Sequence, residues 1–295
     1  MSTETLVWRS QLYVPANNPK FIAKAHTRGA DAIILDLEDS VPASERDKAR
    51  AGLADAVASV GQQGADPTVR INSPEAAAFE DLDAAVVPGV RGLYVTKVRD
   101  PDYVEAVAGK VAELEAARGI VPGTIRLVAM VETAQAYLQA YDIARADDRL
   151  FALVLGGEDI ALDLHMVPDE DTLNFPKQQM AIVARAAGLV PFGIMGTIAD
   201  YNDLEAVKAV AERSRRFGFE GAACIHPSVV PVLNEAFSPS AEEVDHARRV
   251  VDAYAEAEAA GKGAITVDGK MIDVPVVRRA ENLLTRYEAI QKRGT

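Results

Sequence analysis

The chain has 295 residues, of which 49% are apolar and 25% charged, and 31 basic against 44 acidic side chains leave a formal net charge of −13. The apolar share supports a sizeable core and excludes wholesale disorder, while the acidic balance opposes nucleic acid and anionic membranes as main partners. Cys224 is the single cysteine, so a disulfide framework within one chain and a cysteine-ligated zinc cluster are both excluded. No run nears the ~18 apolar residues of a membrane span. No basic stretch followed by an apolar core opens the chain, so the expectation is a soluble, cytoplasmic protein.

Eight short apolar runs recur along the first three-quarters of the sequence. They are Gln11–Pro15, Ala32–Glu38, Thr68–Asn72, Gly92–Val98, Arg126–Glu132, Phe151–Gly156, Phe192–Met195 and Ala222–Ile225. Nearly continuous apolar runs of this length suit strands buried on both faces, as in a parallel sheet. Between them, Val104, Val107, Val111 and Leu114, and later Leu204, Val207 and Val210, repeat at helical spacing. The interval of about 30 residues is that of one βαβ unit, and eight units predict an α/β (β/α)8 barrel. A doubly wound open sheet is the alternative, but the first strand lacks a glycine-rich dinucleotide turn.

After the eighth run the pattern changes. Ser238–Ala260 reads as a helix through Val244, Val251 and Tyr254, with a turn at Asp268-Gly269 and a second helix over Val276–Gln291. The expected organisation is a catalytic barrel over residues 1–237 and a C-terminal helical arm or lid over 238–295. A closed barrel does not need this tail.

Barrel enzymes carry their chemistry at the C-terminal ends of strands. There stand Asp36-Leu37-Glu38-Asp39, Arg70 and Asn72, Lys97, Glu132-Thr133, Gly156-Gly157-Glu158-Asp159 and His226-Pro227. Glu132 and Asp159 end adjacent strands, and two converging carboxylates suit Mg²⁺, with Mn²⁺ as a substitute. The plain alternative is that each caps the helix after it. The four histidines, His26, His165, His226 and His246, are scattered without zinc-site spacing. Arg70 lies in an apolar strand, where its fork can hold a substrate carboxylate or form an ion pair with Asp36 or Glu38. Lys97 reads as a Schiff-base lysine, a charge on a carboxylate, or an ion pair with Asp36, Glu38 or Glu132. Asn17, Lys20 and Lys24 flank a helix start that could meet phosphates.

Several ordered motifs resemble the citrate lyase β-subunit-like (HpcH/HpaI aldolase) family. They are Arg9–Asn17, Asp36–Val41, Val69–Asn72, Val131–Ala134, Gly157–Asp159 and Ile225–Ser228. Met271-Ile272-Asp273-Val274-Pro275 resembles the C-terminal element of its malyl-CoA and citramalyl-CoA lyases. Thr96–Arg99 and Gly193–Ile198 depart from the family pattern. The resemblance implies a Mg²⁺-dependent barrel that cleaves or forms a 3-hydroxyacyl-CoA thioester, giving acetyl-CoA and glyoxylate or pyruvate. It makes Glu132 and Asp159 the metal ligands, with Glu38 and Asp39 as catalytic groups behind them. Arg70, Lys97, Gly157 and Glu158 then meet the short oxo acid, and Asn17, Lys20, Lys24 and His226 meet CoA. Asp273, from a neighbouring subunit's arm, becomes the acid/base at the thioester α-carbon, which requires a homo-oligomer, a trimer or hexamer. The alternatives are a CoA-independent metal aldolase, a citrate lyase β subunit acting on an acyl-carrier thioester, and a catalytically silent barrel. The Asp273 motif favours a free-standing lyase, on the expectation that acyl-carrier-dependent subunits tend to lack the long C-terminal arm.

Overall fold

Each apolar run overlaps a strand in the computed structural model, which describes residues 6–73, 77–196, 201–259, 261 and 263–294. The strands are β1 (Ser10–Pro15), β2 (Ala32–Asp36), β3 (Asp66–Ile71), β4 (Gly92–Val95) and β5 (Arg126–Val131). They continue with β6 (Leu150–Leu155), β7 (Val190–Phe192) and β8 (Ala222–Cys224). All pair in parallel in the order β7-β6-β5-β4-β3-β2-β1-β8. Phe192 bridges Gly221, and the Gly193 N–H donates to the Gly221 carbonyl at 2.9 Å, joining the two edges into a (β/α)8 barrel. Glycine is required at that seam. A Cβ on Gly221 would stand 1.9 Å from the Trp8 carbonyl oxygen.

The seventh strand shares only Phe192 with the run expected at 192–195. It begins earlier, at Val190, and ends where Gly193 takes φ +142°, a conformation that stops the ladder. Of the departing stretch Gly193–Ile198, Thr197 and Ile198 lie outside the described residues.

The helices follow local signals. Pro101–Ala117 starts on the Asp100 cap with proline in its first turn, and buries Val104, Val107, Val111 and Leu114 as their spacing predicts. Within the strands, Leu12, Val14, Ile33, Leu35, Val69, Ile71, Leu93, Val95, Leu127, Ala129 and Val131 join one apolar cluster with these helices. The alternate positions therefore face the barrel axis. Among them are Gln11, Tyr13, Asp36, Arg70, Tyr94 and Glu132.

The contacts divide the described residues into two units, Trp8–Phe237 and a second made of those from Ser238 onward with Leu6 and Val7. In the second, helix Ala241–Ala259 is followed by a hairpin, β9 (Ile265–Val267) with β10 (Lys270–Ile272), and by helix Val274–Lys292. Asp268 and Gly269 both have positive φ, the geometry of a two-residue hairpin turn. Val250, Tyr254, Ile272 and Val277 form this unit's small core. No helix among the described residues is long and apolar enough to cross a membrane.

Candidate active site

At the C-terminal rim of the barrel the inward layer becomes ionic. Arg70 Nε and Nη2 donate to the two oxygens of Asp36 at 2.6 and 2.8 Å. Its Nη1 reaches Glu38 at 3.0 Å and Asp39 at 3.2 Å, and the guanidinium lies 4.8 Å over the Tyr13 ring. The ion pair expected from the sequence is thus formed, with both Asp36 and Glu38, and the fork is engaged chiefly by Asp36. A substrate carboxylate would meet the outer Nη edge, where Asp39, with its side chain 63% exposed, is the contact easiest to displace. Burial by itself would raise the Asp36 carboxyl, but the hydrogen bonds and charge of Arg70 outweigh it and hold the group below its ordinary value.

Lys97 is an ion-pair lysine in this arrangement. Its Nζ donates to Glu38 Oε1 at 2.9 Å and lies 3.8 Å from Asp159 Oδ1. Its backbone, held at φ +48°, turns its N–H onto Glu132 Oε2 at 2.6 Å. The bond to Glu38 is the main reason the Lys97 ammonium is held more firmly protonated than an ordinary lysine. Glu38 itself is pushed up by burial in spite of Arg70 and Lys97.

Glu132 is 3% exposed. Burial first, and then the charge of Asp159, push its carboxyl up to about 8. The turn after β6 leaves room for it only because residue 156 is glycine, since a Cβ there would lie 2.5 Å from Glu132 Oε1. Neither carboxylate caps a helix. Thr133 caps Ala134–Leu138, and Gly156 is the cap position of Gly157–Asp163, with no side-chain bond. With the capping role excluded, the partner the two carboxylates share among the described residues is Lys97, through its N–H to Glu132 and its Nζ 3.8 Å from Asp159, and that ammonium is bonded first to Glu38. These residues fit a divalent cation, whose charge reverses the penalty, and hard oxygen donors suit Mg²⁺. Among the described residues no group of three or more His, Cys, Asp or Glu converges on one point. A cation held by the pair would therefore keep positions for water and substrate oxygens.

The remaining expected residues are less gathered. Gly157 and Glu158 open the helix after β6, with Glu158 exposed. Asn17 gives its amide to Glu45 Oε2 at 2.5 Å, and Lys20 and Lys24 are exposed on helix Pro19–Ala25. The His226 ring stacks on Tyr201 at 4.7 Å, and its Nδ1 meets Ser228 Oγ at 2.7 Å. Asp273 belongs to the second unit, where it caps helix Val274–Lys292 by accepting from the Val276 N–H at 3.3 Å.

Of three further residues at this rim, Tyr13 and Gly156 lie within stretches singled out in the sequence but have no role assigned there, and Lys177 lies outside them all. Tyr13 lies under Arg70, and Gly156 makes room for Glu132. Lys177 is 6% exposed beside the turn after β7, where burial pushes its ammonium down to about 8. A signal existed for the last. Leu173, Lys177, Ala181 and Ala184 share one helical face, so a cation stands in an apolar stripe.

The family described as HpcH/HpaI aldolase/citrate lyase matches residues 9–227. A (3S)-malyl-CoA thioesterase of Cereibacter sphaeroides is 34% identical, over 98% of each chain. A citrate lyase subunit beta of Escherichia coli is 32% identical, over 97% of this chain and 95% of its own. The crystal structure of protein CitE from Mycobacterium tuberculosis in complex with magnesium, acetoacetate and coenzyme A is 29% identical. It superposes with a TM-score of 0.74 and covers 97% of this chain and 100% of its own. The citrate lyase match extends through most of the C-terminal unit. The arm therefore does not separate a free-standing lyase from a citrate lyase subunit, contrary to the expectation above.

Proposed function

The chain belongs to the HpcH/HpaI aldolase/citrate lyase family and is a lyase, and from that premise we propose that it acts on a 3-hydroxyacyl-CoA thioester. The reaction would be divalent-metal-dependent cleavage or formation of a malyl-CoA or citramalyl-CoA type ester, giving acetyl-CoA and glyoxylate or pyruvate. The observation that carries this reading is the buried Glu132 beside Asp159, with neither carboxylate used as a helix cap. A cation bound there supplies a Lewis acid for the 3-oxygen as it changes from hydroxyl to oxo group.

The protein's own groups do the rest. Arg70 orients the carboxylate of the short oxo acid through its outer Nη edge, with Asp36 and Tyr13 fixing the guanidinium plane. Lys97 and Glu38 hold the wall between Arg70 and the carboxylate pair, with Asp39, Gly157 and Glu158 at the rim. In cleavage, the 3-hydroxyl gives its proton to solvent water, the C2–C3 bond breaks as the C3–O bond becomes a carbonyl, and the C2–C3 electron pair passes into the thioester enolate. Asp273 from another subunit's arm then delivers a proton to the enolate carbon, or removes one in synthesis. Asn17, Lys20, Lys24 and His226 are assigned to CoA. The assembly would be a homo-oligomer, a trimer or hexamer, since cyclic symmetry lets each arm serve the next site. Mixing D273N with E132Q chains should restore part of the activity. Complementation that never appears despite subunit exchange removes the shared site.

A second reading, thioester hydrolysis, is favoured by the malyl-CoA thioesterase relative. Malyl-CoA and citramalyl-CoA offered with and without Mg²⁺ separate the two. Cleavage releases glyoxylate or pyruvate with no free thiol, whereas hydrolysis releases free CoA and no oxo acid. Release of neither, with and without metal, sinks both.

A further inference from the structure

Lys177 stands on the second helix after β6, Glu170–Ala186, and its ammonium is buried. A buried ammonium is costly unless its hydrogens are matched. Here Nζ donates to the Ile194 carbonyl at 2.6 Å and to the Gly196 carbonyl, both in the turn after β7. No carboxylate among the described residues lies within ion-pairing distance of it, although the charge of Glu158 is felt there. The same turn is held from its other side, because the Met195 N–H donates to Ser214 Oγ at 2.8 Å.

The ammonium also underlies the β6 exit. A Cβ built on Gly157 would stand 3.6 Å from Lys177 Nζ and 3.2 Å from Leu173 Cδ1. Gly157 is two residues before Asp159. Lys177 is thus bonded to the turn after β7 and lies beside the start of the helix that carries Asp159. A methionine would fill the same volume but leave the Ile194 and Gly196 carbonyls without this donor. We propose that Lys177 is a positioning residue that ties the β7 exit to the β6 exit and so holds Asp159 at its spacing from Glu132. The proposal rests on the metal reading of that pair.

The test is calorimetric titration of Mg²⁺ into the wild-type full chain, K177M, K177R and E132Q, with kcat, KM and a thermal melt for each. K177M should bind Mg²⁺ roughly 10–100-fold more weakly, the usual effect of removing a group that orients a ligand. Its kcat should fall in step while KM for the thioester changes less. K177R should recover much of the affinity. A folded K177M with wild-type Mg²⁺ affinity, whatever its melting temperature, makes Lys177 a structural residue and overturns the proposal. If K177M does not fold, K177Q is read the same way, because its amide keeps donors without the charge. E132Q separates the two failures. A wild type that takes up no Mg²⁺ overturns the metal reading and this assignment together. Wild-type binding that E132Q abolishes and K177M or K177Q leaves unchanged overturns this assignment alone.

Discussion

The two ends of the barrel both bury charge, and they do it differently. At the N-terminal end, Arg9 clasps Asp31 through Nε and Nη2 at 2.7 and 2.8 Å. Arg149 meets Glu115 at 2.6 Å, and Glu115 also accepts from the Gly123 and Ile125 N–H groups. Trp8 donates to Asp66 and packs against Phe151 and Phe192. Arg9 with Asp31 and Arg149 with Glu115 are each matched one cation to one carboxylate. At the C-terminal rim, Asp36, Glu38, Asp39, Glu132 and Asp159 share two cations, Arg70 and Lys97. Matched burial holds a fold together, whereas an excess of carboxylate is a standing demand for a cation that the chain does not supply.

The largest expected effect breaks the acidic end. E132Q or D159N should abolish Mg²⁺ binding and turnover while the melting temperature stays level or rises, because each removes a repelled carboxylate. Calorimetry showing unchanged Mg²⁺ affinity in both variants would reduce the pair to structural groups. Next comes Arg70. R70K keeps the charge but loses the fork that spans Asp36 and the substrate, and activity should drop by roughly 10²-fold or more. Native kinetics in R70K would leave only the ion pair.

The matched end should answer in stability instead. E115Q leaves Arg149 buried without its partner and should cost about 3 kcal/mol at neutral pH, with kcat unchanged. Arg149 and two backbone N–H groups outweigh burial and hold the Glu115 carboxyl below its ordinary value. A depressed folded pKa contributes stability that is present above the unfolded value, near 4.3, and is lost as pH falls through the folded one. The gap between wild type and E115Q in urea melts should therefore close below about pH 4. A gap independent of pH would assign the effect to packing. The smallest effect is at Lys97. K97M removes a half-exposed cation that competes for Glu38 and Asp159, so Mg²⁺ should bind roughly 3–10-fold more tightly, the scale of a partly exposed ion pair. Weaker binding in K97M would show that Lys97 supports the pair instead of competing with it.

Some of this was legible from the residues alone. Strands such as Ala32–Asp36 and Arg126–Val131 announce themselves because a strand buried on both faces has to be apolar nearly throughout. The Asp100-Pro101 start and the Val104, Val107, Val111 stripe mark a helix by purely local rules. That Asp36, Arg70 and Glu132 stand at strand ends follows from those same boundaries. Asp159, expected at the end of β6, instead lies four residues past Leu155, in the first turn of helix Gly157–Asp163. The Lys177 stripe was visible in the helical period.

What only the tertiary structure decided is how those groups pair. Asp36 lies opposite Arg70 because β2 and β3 pair in that register, and no local pattern encodes an inter-strand register. Gly156 looks like an ordinary turn glycine until Glu132, from another strand, fills the space its side chain would need. The end of β7 at Gly193 depends on closure against Gly221, a contact between distant segments. Periodicity reports which face of an element is buried, because burial is a property of each residue's own position. Charge pairing is a property of two positions brought together by folding, so the chain carries the candidate ligands in its sequence and their geometry only in three dimensions.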